Sequence, residues 1–385
     1  MQKLLNMSGF FNKKSFNMRF FASKFFAVLM CLCMFVAGII NPVALKNTET
    51  FSCSKTAQAA LPSFQKIIKS LFKKEEKKPP EKDKIFVYLG GYPLGFTINC
   101  SGVLVVAISN DSAENLKEGD IITHIEGTGV SSSAQISKLL NSDGFKQGKV
   151  SLSITRGGKS ETGSLVPQID NVTGKKKLGI WIRDNSAGVG TMTYIRKDNF
   201  RFGALGHPVC DIDTGSIMPA ANGNIFKCNI VGYKRGEKGS PGELRGLFLR
   251  NGSILGSLDK NNEFGVYGNF YEKHLDKYDD NLVEVADKSE VKSGKAQIKC
   301  AIDGCDPVYY DIEIVKTYFQ SSKSNKSMFI RVTDKRLLET TGGIIQGMSG
   351  SPIIQNGKLV GAVTHVFVSD PTKGYGVYAD WMIDN

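Results

Sequence analysis

The sequence predicts a mainly β protein of several domains that follow a positively charged, apolar N-terminal segment. The chain has 385 residues, which is enough for two or three domains. Its 41 glycines and only 12 prolines are typical of turn-rich β domains. From residue 85 onward, short apolar runs alternate with turn residues and no helical pattern exceeds a few turns. These features argue against a helical bundle.

The net charge of +12 is concentrated at the N-terminus. Residues 1–84 carry 15 Lys/Arg and 5 Asp/Glu (+10), which leaves 34 and 32 (+2) for residues 85–385. Because the remainder is nearly neutral, nucleic-acid binding is not expected. Residues 73–84 contain only Lys, Glu, Asp and Pro, so they predict an extended, solvated linker.

An uncharged run over residues 25–40 follows an N-terminus whose charges are all positive. No acidic residue precedes Glu49, and the run is preceded by Lys3, Lys13, Lys14, Arg19 and Lys24. Such a segment predicts export, with the positive end retained in the cytoplasm. Its 16 residues lie between a signal-peptide core and a membrane span of about 20 residues. Residues 1–45 are predicted to be a cytoplasmic tail and a signal-anchor or transmembrane segment, either retained or cleaved, and residues 46–84 a linker.

The eight cysteines are scattered along the chain. Cys300 and Cys305 could close a small disulfide loop in an oxidising compartment, and free buried thiols are an equally good interpretation. No CxxC pair is present, so a structural zinc site has no support.

Residues 85–167 carry the pattern of a small β domain with one helix. The predicted strands are 85–89, 96–98, 103–108, 121–125 and 150–154, with a helix over 134–140. Residues 92–96 (YPLGF) and 116–127 (LKEGDIITHIEG) resemble two motifs of PDZ domains. The resemblance implies that the backbone of Leu94, Gly95 and Phe96 binds a peptide or chain terminus through its carboxylate.

Residues 347–352 read Gly-Met-Ser-Gly-Ser-Pro and begin a predicted β-hairpin. They resemble the nucleophile loop of chymotrypsin-like serine proteases, which implies a double β-barrel protease domain over residues 175–385. On this interpretation Ser349 is the nucleophile, and the N–H groups of Gly347 and Ser349 form the oxyanion hole. Ser351 then supports the loop with its hydroxyl.

A serine nucleophile needs a base, and the chain offers four histidines. His124 and His274 lie in a predicted PDZ strand and in a charged stretch, so both are interpreted as structural or exposed. His207 follows a small-residue, apolar run and precedes a proline, which favours it as the base. His365 is expected on a strand lining the substrate cleft, together with Ala362, Val363 and Thr364.

The order of anchor, PDZ domain and protease resembles the stage IV sporulation protein B (SpoIVB) peptidase family. Residues 202–213 and 343–375 carry the specific motifs. The resemblance implies a catalytic triad of His207, Asp334 and Ser349, with no metal or organic cofactor. Asp334 is the weakest member, because the acid comes much later in the sequence than in chymotrypsin. Its rivals are Asp211, Asp213 and Asp303.

The same resemblance implies a sporulation signalling endopeptidase exported across the forespore membrane, anchored there or released into the intermembrane space. Its substrate would be a membrane regulatory protein of the FA type, whose cleavage activates an intramembrane metalloprotease and hence sigma-factor processing. Self-cleavage is expected near the N-terminus, within residues 46–84. The alternative is a non-catalytic PDZ scaffold that tethers exported partner proteins.

Overall fold

A computed structural model describes residues 84–145, 148–249, 252–278 and 282–384. The chain divides into two units, Met1–Glu81 and Lys82–Asn385, and every described residue belongs to the second. The predicted membrane segment and the predicted linker up to residue 83 therefore lie outside the described residues. Within the described ranges, no helix combines the length and the apolar character needed to cross a membrane.

The described residues form 22 strands, three short α-helices and one 3-10 helix. Strands β1 to β11 are Phe86–Leu89, Pro93–Ile108, Ile121–Ile125, Thr128–Gly129, Val150–Arg156, Lys159–Leu165, Gln168–Ile169, Lys176–Lys177, Ile180–Arg196, Arg201–Ala204 and Ala220–Lys227. Strands β12 to β22 are Asn229–Lys234, Glu243–Leu247, Ile254–Asn262, Gly265–Phe270, Leu282–Glu284, Gly294–Cys300, Val308–Thr317, Met328–Val332, Pro352–Gln355, Lys358–Phe367 and Asp370–Tyr378. Helices α1 to α3 are Ser133–Leu140, Lys335–Thr341 and Ala379–Ile383, and the 3-10 helix is Glu272–Lys277.

Two six-stranded barrels form the larger part of the molecule. The first runs β9-β10-β15-β14-β11-β2 and closes because β2 also pairs with β9. The second runs β17-β18-β19-β22-β21-β20 and closes through the pairing of β17 with β20. Apolar side chains fill both interiors, represented by Phe96 and Phe202 in the first barrel and Ile298 and Ile330 in the second. The mainly β prediction is confirmed.

The PDZ unit packs β3, β5, β6 and α1 around a separate apolar core that includes Val103, Ile122 and Leu152. Helix α1 begins one residue before the predicted start. Ser132 caps it by accepting a hydrogen bond from the Gln135 N–H, and Ile136 and Leu140 face the core. Helix α1 is too short to be stable alone, so the burial of its one apolar face stabilises it.

The PDZ unit and the first barrel share their two longest strands. Residues 94–99 of β2 pair with β11 in the barrel, while Val103 and Leu104 pair with β3 in the PDZ unit. Strand β9 follows β2 antiparallel along both parts. The prediction of separate strands at 96–98 and 103–108 is therefore wrong. The intervening residues continue the strand, because Asn99 pairs with Asn185 and Cys100 with Ala220.

Candidate active site

The loop that carries Ser349 precedes β20 and lies at the seam between the barrels. Gly347 and Gly350 have φ angles of +94° and +93°, a region that favours glycine. A Cβ atom on Gly350 would lie only 2.2 Å from the carbonyl oxygen of Thr191. Gly350 therefore allows the second barrel to approach β9 of the first barrel at backbone distance.

Three hydroxyl groups hold this loop in place. Ser351 is fully buried and donates to the Met348 carbonyl at 2.6 Å, the supporting role that the sequence suggests. From β9, the Thr191 hydroxyl donates to the Gly347 carbonyl (2.8 Å) and the Thr193 hydroxyl to the Gly350 carbonyl (2.7 Å). No sequence motif identifies the two threonines, because their partners lie more than 150 residues away.

The predicted oxyanion donors are available. Within the described part of the chain, the N–H groups of Gly347 and Ser349 donate no hydrogen bond, whereas those of Met348 and Gly350 donate to Ile345 and Val363. Two unused N–H groups beside a half-buried serine are what an oxyanion hole requires.

His207 is presented by a tight turn at the end of β10. Leu205 and Gly206 both adopt positive φ angles, 71° and 69°. A Cβ atom on Gly206 would lie 3.0 Å from Cγ2 of Thr364, so the turn rests against β21 of the second barrel. The Ser349 hydroxyl donates to the carbonyl of the same Thr364 at 3.0 Å. The turn that presents His207 and the hydroxyl of Ser349 therefore both contact Thr364.

The surroundings of His207 suit a general base. Its Nδ1 lies 2.8 Å from the carbonyl oxygen of Pro208, which can only accept a hydrogen bond. Nδ1 must therefore carry the proton in the neutral ring, and Nε2 presents its lone pair. Burial lowers the pKa of His207, so the neutral form dominates at pH 7. In the unliganded site Ser349 bonds to Thr364, and catalytic contacts commonly tighten only when substrate binds.

His365 lies beside His207, with ring centroids 5.6 Å apart. Its buried Nδ1 has no hydrogen-bond partner among the described residues. Burial, the neighbouring His207 and Lys326 lower the pKa of His365 to about 4. His365 is therefore an uncharged neighbour of His207, a contact that the sequence does not reveal.

The other predicted cleft residues lie inside the second barrel or its seam. The side chains of Ala362, Val363 and Thr364 are at most 2 % exposed. Their side chains are therefore closed off from solvent, and the expectation that these residues line the substrate cleft stays a prediction. Their backbone groups instead hold the serine loop. The Val363 carbonyl accepts from the Gly350 N–H and the Val363 N–H donates to the Ser351 carbonyl, while the Thr364 carbonyl accepts from the Ser349 hydroxyl.

Asp334 is not brought to His207. Its carboxylate caps α2 by accepting from the Arg336 N–H (2.9 Å), pairs with the Arg336 guanidinium (2.7 Å) and accepts from the Asp311 N–H (3.2 Å). The Arg336 contact lowers the pKa of Asp334 to about 2. Phe329 is level with His365 across β22, and Asp334 lies five residues further along the chain, beyond the end of β19. The triad prediction for Asp334 finds no support in this geometry.

The rival acids do not replace Asp334. Asp211 accepts from Thr214 and pairs with Arg183, and Asp213 pairs with the same arginine. Asp303 is exposed in the loop after β17. Among the described residues, no carboxylate bonds to His207, and no group of three or more His, Cys, Asp or Glu is arranged to hold a metal ion.

The predicted carboxylate loop does not form in the PDZ unit. Leu94, Gly95 and Phe96 lie within β2, where Gly95 is opposite Val189 on one edge and Phe226 on the other. A Cβ atom on Gly95 would be 2.1 Å from the Phe248 ring. The prediction that these residues bind a peptide is therefore wrong, because both strand edges are occupied.

Residues 174–383 match the family SpoIVB peptidase S55, which is more than half of the chain. The chain belongs to the SpoIVB peptidase S55 family. It is accordingly a serine peptidase, a hydrolase, and the family supports a role in sporulation. Residues 73–165 match the PDZ domain family, so this S55 peptidase carries its PDZ unit before the catalytic residues, as predicted.

Two solved structures are similar to part of this S55 peptidase. The PDZ domain of the SdrC-like protein from Listeria monocytogenes is 25% identical over 21% of this chain and 87% of its own, with a TM-score of 0.19. The PDZ domain of the SdrC-like protein from Listeria innocua is 27% identical over 21% and 93%, with a TM-score of 0.18. No curated protein matches the chain significantly.

Proposed function

We propose that this S55 peptidase is a sporulation signalling endopeptidase that cuts a membrane regulatory protein of the FA type. The observation that carries the proposal is that the Gly206 turn, which presents His207, and the Ser349 hydroxyl both contact Thr364, beside two N–H groups that donate no hydrogen bond among the described residues. Cleavage of the regulator would activate an intramembrane protease and so permit sigma-factor processing. The family match supports the sporulation setting.

The chemistry follows from the positions of the groups. The Ser349 hydroxyl attacks the peptide carbonyl carbon while its proton passes to Nε2 of His207. The carbonyl oxygen becomes an oxyanion that accepts hydrogen bonds from the N–H groups of Gly347 and Ser349. His207 then gives its proton to the departing amine. Water hydrolyses the acyl-enzyme in the second half, with His207 again as the base.

The Pro208 carbonyl takes the positioning role that a carboxylate has in most serine proteases. By accepting the Nδ1 proton, it fixes the tautomer in which Nε2 is basic. A carbonyl stabilises the transient imidazolium less than a full negative charge would. We therefore expect a modest turnover number, which suits a peptidase that acts on one regulatory target.

The proposed place of action is the forespore membrane and the space beyond it. The positive N-terminus and the apolar run at residues 25–40 support export and anchoring. Self-cleavage is proposed within residues 46–84, because this segment lies between the predicted anchor and the first described strand. Release from the anchor would follow from that cut.

Co-expression tests the proposal directly. The full chain would be produced together with an FA-type regulator in a bacterial host, and the regulator followed by immunoblot. We expect a shortened regulator with the wild-type chain and an intact one with Ser349→Ala. Thr162→Val, a change on an exposed β6 position, is the matched control. A regulator that stays intact with an active wild-type enzyme would contradict the substrate assignment.

A further inference from the structure

The hairpin of β12 and β13 presents apolar side chains to solvent. The two strands form a sheet of their own, in which Leu247 is opposite Asn229. The register shifts between Ile230 and Gly232, so Val231 is an extra residue that bulges outward. Val231 and Leu247 are both 60% exposed, whereas Ile230 is buried on the inner face. The hairpin therefore has one buried side and one exposed side.

Leu249 extends the exposed side beyond the end of β13. Phe248 points inward, where its ring stacks on the Phe226 ring at a centroid distance of 5.6 Å. The side chains before and after it, Leu247 and Leu249, point outward, and Leu249 is 70% exposed. We call the exposed surface formed by Val231, Leu247 and Leu249 the hairpin face. Exposed apolar side chains grouped in this way are typical of an interaction site.

Basic side chains border the hairpin face. Arg245 lies two residues before Leu247 on the same side of β13, and Lys234 is exposed at the end of β12. Among the described residues, neither side chain pairs with a carboxylate, and the Lys234 ammonium group contacts only the Ser240 hydroxyl. Residues 227–250 carry six Lys/Arg and two Asp/Glu (+4), whereas the rest of residues 85–385 carries 28 and 30 (−2). Positive charge is therefore concentrated on this hairpin.

Backbone hydrogen bonds to the second barrel fix the orientation of the hairpin. Ile230 and Gly304 exchange two of them, at 2.7 Å and 2.9 Å. On the other strand, the Leu244 N–H donates to the Gln346 carbonyl (2.8 Å), and the Gln346 N–H donates to the Gly242 carbonyl (2.9 Å). The hairpin face therefore cannot turn inward to bury its apolar side chains.

We propose that the hairpin face docks on the surface of an anionic lipid bilayer. The side chains of Val231, Leu247 and Leu249 enter the headgroup region, while Lys234 and Arg245 contact the lipid phosphates. Apolar area and positive charge on one surface are the two components that such binding needs. The anchor proposed at residues 25–40 keeps a bilayer within reach, so the docking rests in part on that proposal.

Docking would bring the candidate active site close to the bilayer. Gln346, which bonds to β13, directly precedes Gly347 of the serine loop. A bilayer that covers the hairpin face would therefore hold the serine loop near the lipid surface. On the proposed peptidase function, a membrane regulator would be cut close to the point where it leaves the bilayer.

Docking is measured with the full chain reconstituted into vesicles of phosphatidylglycerol or of phosphatidylcholine. Bromine on the lipid acyl chains quenches the fluorescence of a tryptophan that enters the bilayer. We expect brominated phosphatidylglycerol to quench about half of the fluorescence that Leu247→Trp adds to the wild type, and brominated phosphatidylcholine about a tenth. Ile212→Trp is the matched control. It is at least as exposed but lies between Asp211 and Asp213, so neither lipid should quench it.

The basic side chains are tested in the Leu247→Trp background. Lys234→Gln combined with Arg245→Gln should lower the quenching in phosphatidylglycerol at least twofold, because the phosphate contacts are lost. Quenching no greater than in Ile212→Trp, equal quenching in the two lipids, or unchanged quenching in the Gln variant would overturn the docking. Flotation of the wild-type chain with phosphatidylcholine vesicles tests the anchor separately.

The consequence for cleavage needs a second variant. Leu247→Glu combined with Leu249→Glu should slow the cleavage of an FA-type regulator in phosphatidylglycerol vesicles at least threefold. Acylation of Ser349 by a fluorophosphonate should stay at the wild-type rate, which shows that the fold is intact. Unchanged cleavage would overturn this consequence. If Ser349 is never acylated in the wild type, the proposed peptidase function fails, and the quenching experiment still decides the docking.

Discussion

The hydroxyl of Thr191 donates to the carbonyl oxygen of Gly347 at 2.8 Å, across the seam between the two barrels. This hydrogen bond comes from the barrel that carries His207, and it fixes the peptide unit between Gly347 and Met348. The orientation of the serine loop therefore depends on β9, although the loop itself belongs to the second barrel. We therefore expect the reactivity of Ser349 to depend on contacts across the seam between the barrels.

Replacing Thr191 should test this dependence. Thr191→Val keeps the shape of a buried side chain and removes the hydroxyl, which leaves the Gly347 carbonyl without its donor. We expect acylation of Ser349 to slow about tenfold, because the neighbouring oxyanion donor is no longer fixed, and stability to fall by about 1–3 kcal/mol. Acylation kinetics and denaturant unfolding measure the two effects. Thr162→Val serves as the control. Equal acylation rates in the two variants would show that the Thr191 hydroxyl does not support the serine loop.

Gly350 should tolerate no side chain. In Gly350→Ala the new Cβ would meet the Thr191 carbonyl at 2.2 Å, so the barrels would have to separate locally. Gly357 is the matched control, since it also has a positive φ (+75°) but open space around its Cβ position. We expect Gly357→Ala to cost about 1–2 kcal/mol of stability and Gly350→Ala to cost more and to lose acylation. Equal unfolding free energies for the two variants would contradict the close contact.

Asp334 should be nearly dispensable for chemistry. If it fixed the His207 tautomer, Asp334→Asn would lower turnover by on the order of 10⁴. The structure instead engages it with Arg336 and Asp311, so we expect turnover within about tenfold of wild type and a slightly lower thermal midpoint. Asp303→Asn, at an exposed position, is the control. A loss of a thousandfold or more at Asp334 alone would restore the triad prediction.

The pH dependence of acylation should follow His207. Burial lowers the pKa of His207, so its reactive neutral form persists as pH falls below the ordinary histidine value of about 6.5. We therefore expect the acylation rate to reach half its maximum below that value. The rate measured from pH 4 to 8, with buffers of constant ionic strength, gives the midpoint. A midpoint above 7 would mean that a negative charge stabilises the imidazolium.

Stability should depend on pH through His365. Its folded pKa of about 4 lies below the unfolded value of about 6.5, so the unfolded chain binds the proton first as pH falls. Protonation of His365 in the unfolded chain therefore lowers the free energy of unfolding progressively as the pH falls from about 6.5 to about 4. We expect denaturant unfolding of the wild type to show this decline and His365→Gln to show a shallower one. Parallel curves for the two proteins would contradict the burial of a neutral ring.

The local features of this chain could be predicted from its sequence, whereas the pairings between strands distant in the sequence could not. The Gly and Ser spacing of residues 347–351 predicts Ser349 as the nucleophile, because that turn is determined by its own residues. By contrast, residues 94–96 resemble a carboxylate-binding loop in their local sequence, and only the pairing of β2 with β9 and β11 shows that they form the interior of a strand. Asp334 likewise suits a triad by its distance from Ser349 in the sequence, whereas its partner Arg336 keeps it at a helix end.

We propose that Ser349, activated by His207, is the nucleophile. The most direct measurement is to treat the full chain with a fluorophosphonate and to map the adduct by peptide mass spectrometry. We expect one adduct, on Ser349, which disappears in His207→Ala and is unchanged in Asp334→Asn. An adduct on Ser351, or equal labelling of Ser349 in the His207→Ala variant, would contradict it.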